Sequence, residues 1–378
     1  MPPTDAQVVV VGAGAAGLST AGALRRRGIE AVVLERDSRV GGTWTRRYER
    51  LRLHTVRRFS GLAHYPIPRR HPRYLPKDAF AQYLRDYAAH LELDVRLEEP
   101  VRRIRPADGG PAWEIETDRA QWRAPVVVVA TGHYAEPVLP RWPGRERFGG
   151  ELLHSADYAS GSRFAGAKAL VVGIGNSGAE IATDLVERGA SEVAIAVRTP
   201  PPVIPRDLFG VLPVQLVGLA LTPVPAPRLF DRAGALVRRV GVGDLRTYGL
   251  GPAGWGPFTA RRPAVIDVGF LHELKAGRIR VMPAVADLTP TGVAFGDGSE
   301  EEFDVVVAAT GFRTGLERLL DVPGAVTETG EPRVRSGRPT RFPGLYLTGF
   351  EETVRGHLFE ARRESKRLAR EIERYLRS

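Results

Sequence analysis

The feature that most constrains this chain is a pair of glycine-rich turns, GAGAAG at residues 12–17 and GIGNSG at residues 173–178. Each turn follows a short apolar run and precedes a helix-like segment, after which a second apolar run begins. One GxGxxG sequence is weak evidence, but two copies in the same strand–turn–helix–strand context indicate two βαβ units that bind dinucleotides. The sequence therefore predicts an α/β protein with two Rossmann-like dinucleotide-binding domains.

The glycines of such a turn have separate physical tasks. The first two allow a tight turn and a close approach of the backbone to a pyrophosphate, and the third lets the helix pack closely on the strand. The helix N-terminus then presents unpaired N–H groups to the anion. The predicted pyrophosphate-binding glycines are Gly12, Gly14 and Gly17 in the first unit and Gly173, Gly175 and Gly178 in the second.

The residue after the returning strand distinguishes the two nucleotides. Glu35 can accept a hydrogen bond from a ribose 2′-hydroxyl and would repel a 2′-phosphate, which favours FAD or NAD in the first unit. Arg198 offers a guanidinium suited to a phosphate, which favours NADPH in the second, unless it is only a solvated strand-end arginine. The neighbouring Arg36 and Thr199 complete the predicted contacts at these two strand ends.

A second glycine-containing segment favours FAD over NAD in the first unit. GGTW at residues 41–44 closely follows the acidic strand end, and adjacent glycines let the backbone pass tightly over a bound ligand. Gly42, Thr43 and Trp44 are therefore predicted to contact the cofactor. By itself the same segment could be a turn followed by a core tryptophan.

Two further segments, VVVVATG at 126–132 and VVVAATG at 305–311, end apolar strands in an Ala-Thr-Gly turn. We expect them to mark the chain's crossings from the FAD domain to the NADPH domain and back, so that the FAD domain is discontinuous. The expected parts are 1–160 (FAD domain), 161–305 (inserted NADPH domain, with a helical excursion at about 206–250) and 306–378 (FAD domain). The tail 355–377 should be an exposed amphipathic helix. The two turns add Thr131, Thr310 and Gly311 to the predicted cofactor contacts, and a further strand that leads into a Gly turn, GLYLTGF at 344–350, adds Gly349 and Phe350.

Composition excludes several classes of chemistry. Cysteine is absent, which excludes disulfides, thiolate metal sites and cysteine nucleophiles, and no metal site is predicted. The net charge of +10 comes mainly from arginines scattered along the chain without a nucleic-acid-binding motif, so no nucleic-acid partner is expected.

The N-terminus and one stretch without charged residues indicate where in the cell the protein acts. The N-terminus is short and polar and leads straight into a strand, which favours a cytoplasmic protein over a secreted one. Residues 208–227 carry no charge, but four prolines argue against a membrane-spanning helix, and peripheral membrane contact is disfavoured. We expect this stretch to be a helical excursion near a substrate entrance.

The segment FGGELLHSADY at residues 148–158 has the pattern F-x-G-x-x-x-H-x-x-x-Y and resembles the fingerprint of the class B flavoprotein monooxygenases. All the motifs above occur in that family's order, so the resemblance covers nearly the whole chain. RLH at 52–54, YLPK at 74–77, IPR at 204–206, YGL at 248–250 and VIDVG at 265–269 are similar to YUCCA-type members, which convert indole-3-pyruvate to indole-3-acetate. The fingerprint lacks the Trp-Pro ending typical of Baeyer–Villiger members.

The resemblance implies an enzyme in which NADPH reduces FAD and O₂ then forms a C4a-(hydro)peroxyflavin that oxygenates a small organic substrate. The reaction that the resemblance favours is oxidative decarboxylation of an indole-3-pyruvate-like 2-oxo acid. N- or S-oxygenation and Baeyer–Villiger oxidation are the alternative reactions. An electron-transfer FAD/NADPH reductase is a further alternative. The partners expected are the substrate and O₂, and the oligomeric state is left open.

Three residues are candidates for catalysis. Asn176 and Ser177, in the second glycine turn, could face both NADP and the flavin edge, or could instead cap the helix that follows. His54, with Thr55, stands where many N- and S-oxygenating members carry asparagine, and His54 could bond the peroxide or a core carbonyl. His154 and Tyr158 are expected to be structural, on one face of a helical turn between the domains.

Overall fold

Two five-stranded parallel sheets form the centre of the computed structural model, which describes residues 3–108 and 110–378. Each sheet has at its middle the strand that precedes a glycine-rich turn. These strands are uninterrupted apolar runs because a parallel sheet is covered on both faces. In spatial order the first sheet contains Leu345–Leu347, Val126–Val129, Val8–Val11, Ala31–Leu34 and Asp94–Arg96, and the second contains Glu151–His154, Val305–Ala308, Lys168–Val172, Glu192–Ala196 and Ile279–Met282.

Four neighbouring strands follow the same chain order in both sheets. Each Ala-Thr-Gly segment follows a strand, Val126–Val129 or Val305–Ala308, that pairs with the central strand on the side opposite the returning strand. Both pairings are parallel, with no shift in register. The predicted α/β architecture with two Rossmann-like units is confirmed.

Sheet membership differs from the predicted domain boundaries at two strands. Glu151–His154 lies in the second sheet, where it pairs with Val305–Ala308, although a boundary after residue 160 assigns it to the first domain. A boundary after residue 305 likewise divides Val305–Ala308. The glycine turn marks the centre of a sheet, so sequence reasoning missed the edge strand that precedes it. The first sheet draws its own edge strand, Leu345–Leu347, from beyond the second unit.

The two connections between the units lie side by side. Glu136–Pro137 and Phe312–Arg313 form a two-stranded antiparallel pair. The Thr310 hydroxyl donates a hydrogen bond to the Val138 carbonyl at 2.5 Å. The chain therefore leaves and re-enters the first unit at the same place.

The long C-terminal helix, His357–Arg377, packs against the first helix, Ala15–Arg25. Leu368 and Ile372 are fully buried, so the expectation of an exposed tail helix beginning at residue 355 is wrong for one of its faces. Its spacing of apolar positions creates a stripe that the first helix covers. The other helices are Gly42–Thr45, Arg57–Ser60, Lys77–His90, Asn176–Glu187, Val214–Leu221, Pro227–Gly241, Pro257–Ala260, Phe270–Lys275 and Leu316–Leu319, with 3₁₀ turns at Gly161–Phe164 and Leu245–Tyr248.

The helical excursion, residues 206–250, contains two α-helices, Val214–Leu221 and Pro227–Gly241. The first of them lies in the uncharged stretch. Within the described ranges, each helix lacks either the length or the apolar content needed to cross a bilayer. The remaining small sheets comprise Thr4–Asp5, Gln121–Ala124, Trp113–Thr117 and Val101–Pro106; Val285–Leu288, Gly292–Phe295 and Glu300–Glu302; Val203–Pro205 with Val265–Asp267; and Asp207–Leu208 with Leu212–Pro213.

Candidate functional site

One cavity of about 770 Å³ is shared by the two units and the helical excursion. It runs from the Glu35 strand end past the helix that begins at Asn176 to the helices of the excursion. The structure thus brings much of the predicted site together. The predicted residues that line this main cavity are Gly14, Glu35, Arg36, Gly42, Thr43, Trp44, His54, Thr55, Thr131, Asn176, Ser177 and Gly349.

The third glycine of each turn is required by backbone packing. A Cβ on Gly17 would lie 1.9 Å from the Gly12 carbonyl oxygen, and a Cβ on Gly178 would lie 1.9 Å from that of Gly173. Both contacts are far inside van der Waals distance, so a side chain would push the helix off its strand. These glycines allow close helix–strand packing in both units, as the motif predicts.

The middle glycine of each turn faces open space. A Cβ on Gly14 or Gly175 would meet no atom within 4 Å, and each of these residues is the N-cap of a helix of 11 or 12 residues. Neither helix N-terminus has a side-chain cap. Unpaired N–H groups beside open space fit a pyrophosphate in each unit.

Glu35 is held by the backbone around it. Its Oε2 accepts a hydrogen bond from the Ala13 N–H at 2.6 Å, and its Oε1 accepts one from the Asp37 N–H at 3.0 Å. Burial raises the pKa of the carboxyl group, and these two N–H groups act in the opposite direction. Each carboxylate oxygen has a second lone pair, so the group can still accept from ribose hydroxyls.

In the second unit the position equivalent to Glu35 is Val197. The Glu35 N–H bonds to the Arg96 carbonyl and the Val197 N–H to the Met282 carbonyl, both at 2.9 Å and both onto the outermost strand. Arg198 therefore corresponds to Arg36, one residue further along than the sequence comparison assumed. Valine cannot accept a bond from a 2′-hydroxyl, so the second unit has the exposed Arg198 and lacks the acceptor.

The Gly-Gly-Thr-Trp segment serves the cavity and the core together. Gly41 has φ of 76°, and a Cβ there would lie 3.0 Å from the Ala81 carbonyl oxygen. Trp44 lines the main cavity while its ring packs edge-on against Phe80, with ring centroids 4.7 Å apart. The segment thus lines the cavity and packs on the core, and its contact with the cofactor stays a prediction. Across the cavity, the buried Thr131 hydroxyl has no partner among the described residues, which suits a ligand atom.

Asn176 does not cap its helix. Its Oδ1 accepts a hydrogen bond from the Ile266 N–H at 2.7 Å, while Gly175 is the N-cap. The side chain thus ties the nucleotide-binding helix to strand Val265–Asp267, at the base of the helical excursion. Ser177 lies beside the buried Tyr48 hydroxyl, whose pKa is raised well above its usual range, chiefly by burial and next by the charge of Glu180.

His54 contacts a buried carboxylate, not a core carbonyl. Its Nε2 lies 2.6 Å from Oε1 of Glu180, which is only 2 % exposed. Thr55 is held through its hydroxyl, 2.7 Å from that of Ser60. Sequence reasoning missed Glu180, although a carboxylate between Ala179 and Ile181 on the apolar face of a helix is a signal for a buried polar contact.

The His54–Glu180 pair also borders a second cavity of about 310 Å³. Arg206, which lines this cavity, stacks over the Tyr74 ring with its guanidinium carbon 4.0 Å from the centroid. The pair therefore forms a wall between the main cavity and a cationic one. The second cavity is lined by Arg50, Arg52, His54, Glu180, Arg206 and Val268.

His154 and Tyr158 have the structural roles expected of them. His154 Nδ1 accepts from the Ala156 N–H and Nε2 donates to the Gly311 carbonyl, each at 3.0 Å, which defines a neutral imidazole. Burial lowers the pKa of His154 accordingly. Tyr158 donates to Asp184 Oδ2 at 2.8 Å. The expected helical turn is wrong, because His154 ends the strand Glu151–His154.

Several predicted cofactor contacts do not line either cavity. Thr310 and Gly311 bond within the connection between the units, and Phe350 lies in the hydrophobic core. Thr199 is exposed beside Arg198. The predicted residues outside the cavities are Gly12, Gly17, Gly173, Gly175, Gly178, Arg198, Thr199, Thr310, Gly311 and Phe350.

The helical excursion supplies an apolar wall of the main cavity. Its lining is almost entirely aliphatic or aromatic, apart from Gln215, Asp231 and Arg238. The Gln215 side chain is 4 % exposed and joins the excursion to the first unit, because it accepts from the Val56 N–H and donates to the Arg355 carbonyl. This wall was expected near a substrate entrance, but the polar residues in it were missed.

Residues 9–203 match the family model described as pyridine nucleotide-disulphide oxidoreductase. The chain is 38 % identical over 369 residues to indole-3-pyruvate monooxygenase YUCCA1 of Oryza sativa subsp. japonica, covering 93 % of this chain and 87 % of that one. It is also similar to a flavin-containing monooxygenase from Stenotrophomonas maltophilia, with a TM-score of 0.73, 25 % identity and coverage of 98 % and 99 %. NADP⁺-bound cyclohexanone monooxygenase from Rhodococcus sp. Phi1, at 19 % identity, shares the fold, with a TM-score of 0.75 and coverage of 99 % and 85 %.

Proposed function

This chain belongs to the flavin-dependent monooxygenases, and on that premise we propose that it binds FAD in the first unit and NADPH in the second. A flavin and NADP(H) follow from the family, and the residues of the two units support this assignment of each dinucleotide. Disulfide reduction, the other chemistry in the matching family's description, is excluded because the chain has no cysteine.

FAD in the first unit is supported by the extent of the main cavity, which is lined by residues of the first unit, the second unit and the excursion. Gly14 and the helix behind it would receive the pyrophosphate, and Glu35 the adenosine ribose. From there the main cavity continues past Gly42 and Thr131 to Asn176 and the excursion. A flavin at that end would lie between the two units, where a nicotinamide from the second could reach it.

The substrate we propose is a small 2-oxo acid with an apolar body, of the indole-3-pyruvate kind. With the reduced flavin activating O₂, a 2-oxo acid, O₂, NADPH and H⁺ would give the acid shortened by one carbon, CO₂, NADP⁺ and water. The observation that carries this proposal is the shared cavity, in which Glu35 of the first unit and Asn176 of the second line the same space as an apolar wall that contains Arg238. The protein's part is to orient the substrate and exclude water, and Asn176, Ser177 and His54 supply polar atoms.

The test begins with the FAD-loaded protein without oxygen. NADPH should bleach the flavin absorption, and NADH should do so much more slowly. With air and indole-3-pyruvate, the NADPH consumed should equal the indole-3-acetate formed. Product from an amine, a sulfide or a ketone, with none from any 2-oxo acid, would assign the enzyme to the other oxygenation classes. Reduction of a cytochrome without any oxygenated product would instead show an electron-transfer reductase.

A further inference from the structure

Arg238 projects a cation into the apolar part of the main cavity. It lies on helix Pro227–Gly241, one turn before that helix ends. Its side chain is partly buried, and this burial lowers the pKa of the guanidinium. Its own helix and the helices Val214–Leu221 and Pro257–Ala260 also supply apolar residues to the lining of this cavity, namely Val217, Leu221, Phe230, Ala233, Val237 and Phe258.

No carboxylate of the described residues lies within ion-pair distance of Arg238. The carboxylate whose charge acts on the Arg238 guanidinium is that of Asp231, on the same helix. Both Asp231 oxygens already accept bonds, Oδ1 from the Phe258 N–H at 2.9 Å and Oδ2 from the Thr259 N–H at 2.8 Å. By contrast Arg246, also in the excursion, is paired with Asp244 at 2.6 Å. Arg238 is thus a partly desolvated cation whose nearest anion is engaged elsewhere.

The other cations of the main cavity are placed differently. Arg36 adjoins Glu35 at the predicted nucleotide end. The Arg47 guanidinium carbon lies over the rings of Tyr134 and Phe312, at 5.5 and 5.2 Å from their centroids, so aromatic faces already stabilise it. Arg52 is exposed and also lines the second cavity. Among these four arginines, Arg238 alone combines partial burial in an apolar surrounding with guanidinium donors that no described residue engages.

We propose that Arg238 is a specificity-determining residue that binds the carboxylate of the substrate. A partly buried cation without a partner is costly, and a carboxylate supplies the planar acceptor that matches the guanidinium fork. The apolar residues around it would hold the flat, hydrophobic body of the same molecule. This inference rests on the proposed 2-oxo acid function and names the group that would select acids over neutral analogues.

The experiment measures binding to the oxidised, FAD-loaded protein by calorimetry, with no turnover. The probes are indole-3-acetate and its uncharged analogue indole-3-acetamide. The unmodified protein should bind the acid at least about tenfold more tightly than the amide, since a hydrogen bond between two charged groups is stronger than one to a neutral amide. Arg238→Gln should bring the two affinities within about twofold of each other. Arg239→Gln is the matched control, since the adjacent Arg239 is exposed and does not line the cavity, and it should keep the preference.

Equal affinity of the unmodified protein for the two probes would overturn the proposal without any variant. An equal loss of both probes in Arg238→Gln would overturn it too, because it would show that the side chain only supports the wall. Arg238→Lys keeps the charge and should retain part of the preference for the acid over the amide. This variant tests the proposal even where Arg238→Gln does not fold. Bleaching of the flavin by NADPH is measured separately. A failure of the proposed flavin chemistry is therefore distinguishable from a failure of Arg238 to bind the carboxylate.

Discussion

At the scale of single residues, the most informative contact is one that the sequence did not predict. His54 was expected to meet the oxygen chemistry or a core carbonyl, and it lies against the carboxylate of Glu180. A carboxylate that is 2 % exposed keeps its place only with a partner, since burying it alone is very costly. The pair therefore fixes the His54 ring at the junction of the two cavities.

We predict that His54 and Glu180 are strongly coupled energetically. A double-mutant cycle of His54→Ala and Glu180→Ala, measured by chemical denaturation, should give a coupling free energy of about 1–3 kcal/mol, because each single change leaves a buried polar group unpaired. The control cycle is Arg163–Glu151, an ion pair at 2.8 Å whose side chains are 65 % and 37 % exposed. Its coupling should stay below about 1 kcal/mol. Equal values for the two cycles would contradict the role assigned to the buried pair.

A second residue-scale prediction concerns the 2′-phosphate. Arg198→Ala should raise the KM for NADPH roughly tenfold or more and leave the KM for NADH within about twofold, because only the phosphorylated nucleotide loses a charge-assisted bond. Arg36→Ala changes the equivalent position of the first unit and should not alter the ratio of the two KM values. Steady-state NADPH and NADH oxidation measures both. An equal effect of Arg198→Ala on the two nucleotides would remove Arg198 from the phosphate site.

At the scale of elements, periodicity and glycine spacing sufficed for the central strands and helices of both units. The positions of GAGAAG and GIGNSG located the core of each sheet, and the acidic and basic strand ends pointed to unlike nucleotides. Register and edge strands were not predictable, because they depend on pairing between distant segments. Thus Val197, not Arg198, aligns with Glu35, and Glu151–His154 joins the second sheet. The polar residues of the excursion were not predicted either, because their contacts also join distant segments of the chain.

The glycine turns give a prediction with an internal control. Gly178→Ala would place a Cβ 1.9 Å from a backbone oxygen, so the helix must shift, and the free energy of unfolding should fall by roughly 1–3 kcal/mol or more. Gly175→Ala meets no atom within 4 Å, so stability should change by less than about 1 kcal/mol. Its Cβ nevertheless occupies the side from which a pyrophosphate would approach, and NADPH affinity should drop while FAD content is unchanged. Unaltered NADPH affinity in Gly175→Ala would argue against that approach.

At the scale of the whole molecule, the second sheet is continuous in sequence and the first is not. All strands of the second sheet lie between Glu151 and Ala308, whereas the first sheet takes Leu345–Leu347 from the C-terminal part. The helix His357–Arg377 then covers the first nucleotide-binding helix, where the Ser19 and Ser365 hydroxyls lie 2.9 Å apart. The first unit can therefore be completed only after the second has been synthesised, and its cofactor site depends on both ends of the chain.

This dependence predicts unequal effects of truncation. A chain that ends at residue 335 lacks the edge strand and the covering helix, and so exposes several buried apolar side chains whose burial contributes about 1.5–3 kcal/mol each. Together these losses approach the roughly 5–15 kcal/mol by which a typical native protein is stable. The truncated chain should therefore not retain FAD through gel filtration, while limited proteolysis should still yield a resistant fragment that spans the second sheet.

A chain that ends at Glu373 keeps the ion pair between Arg27 and Glu373 and the buried stripe of the helix, and should bind FAD normally. Retention of FAD by the shorter chain would show that the first unit is complete without its C-terminal elements.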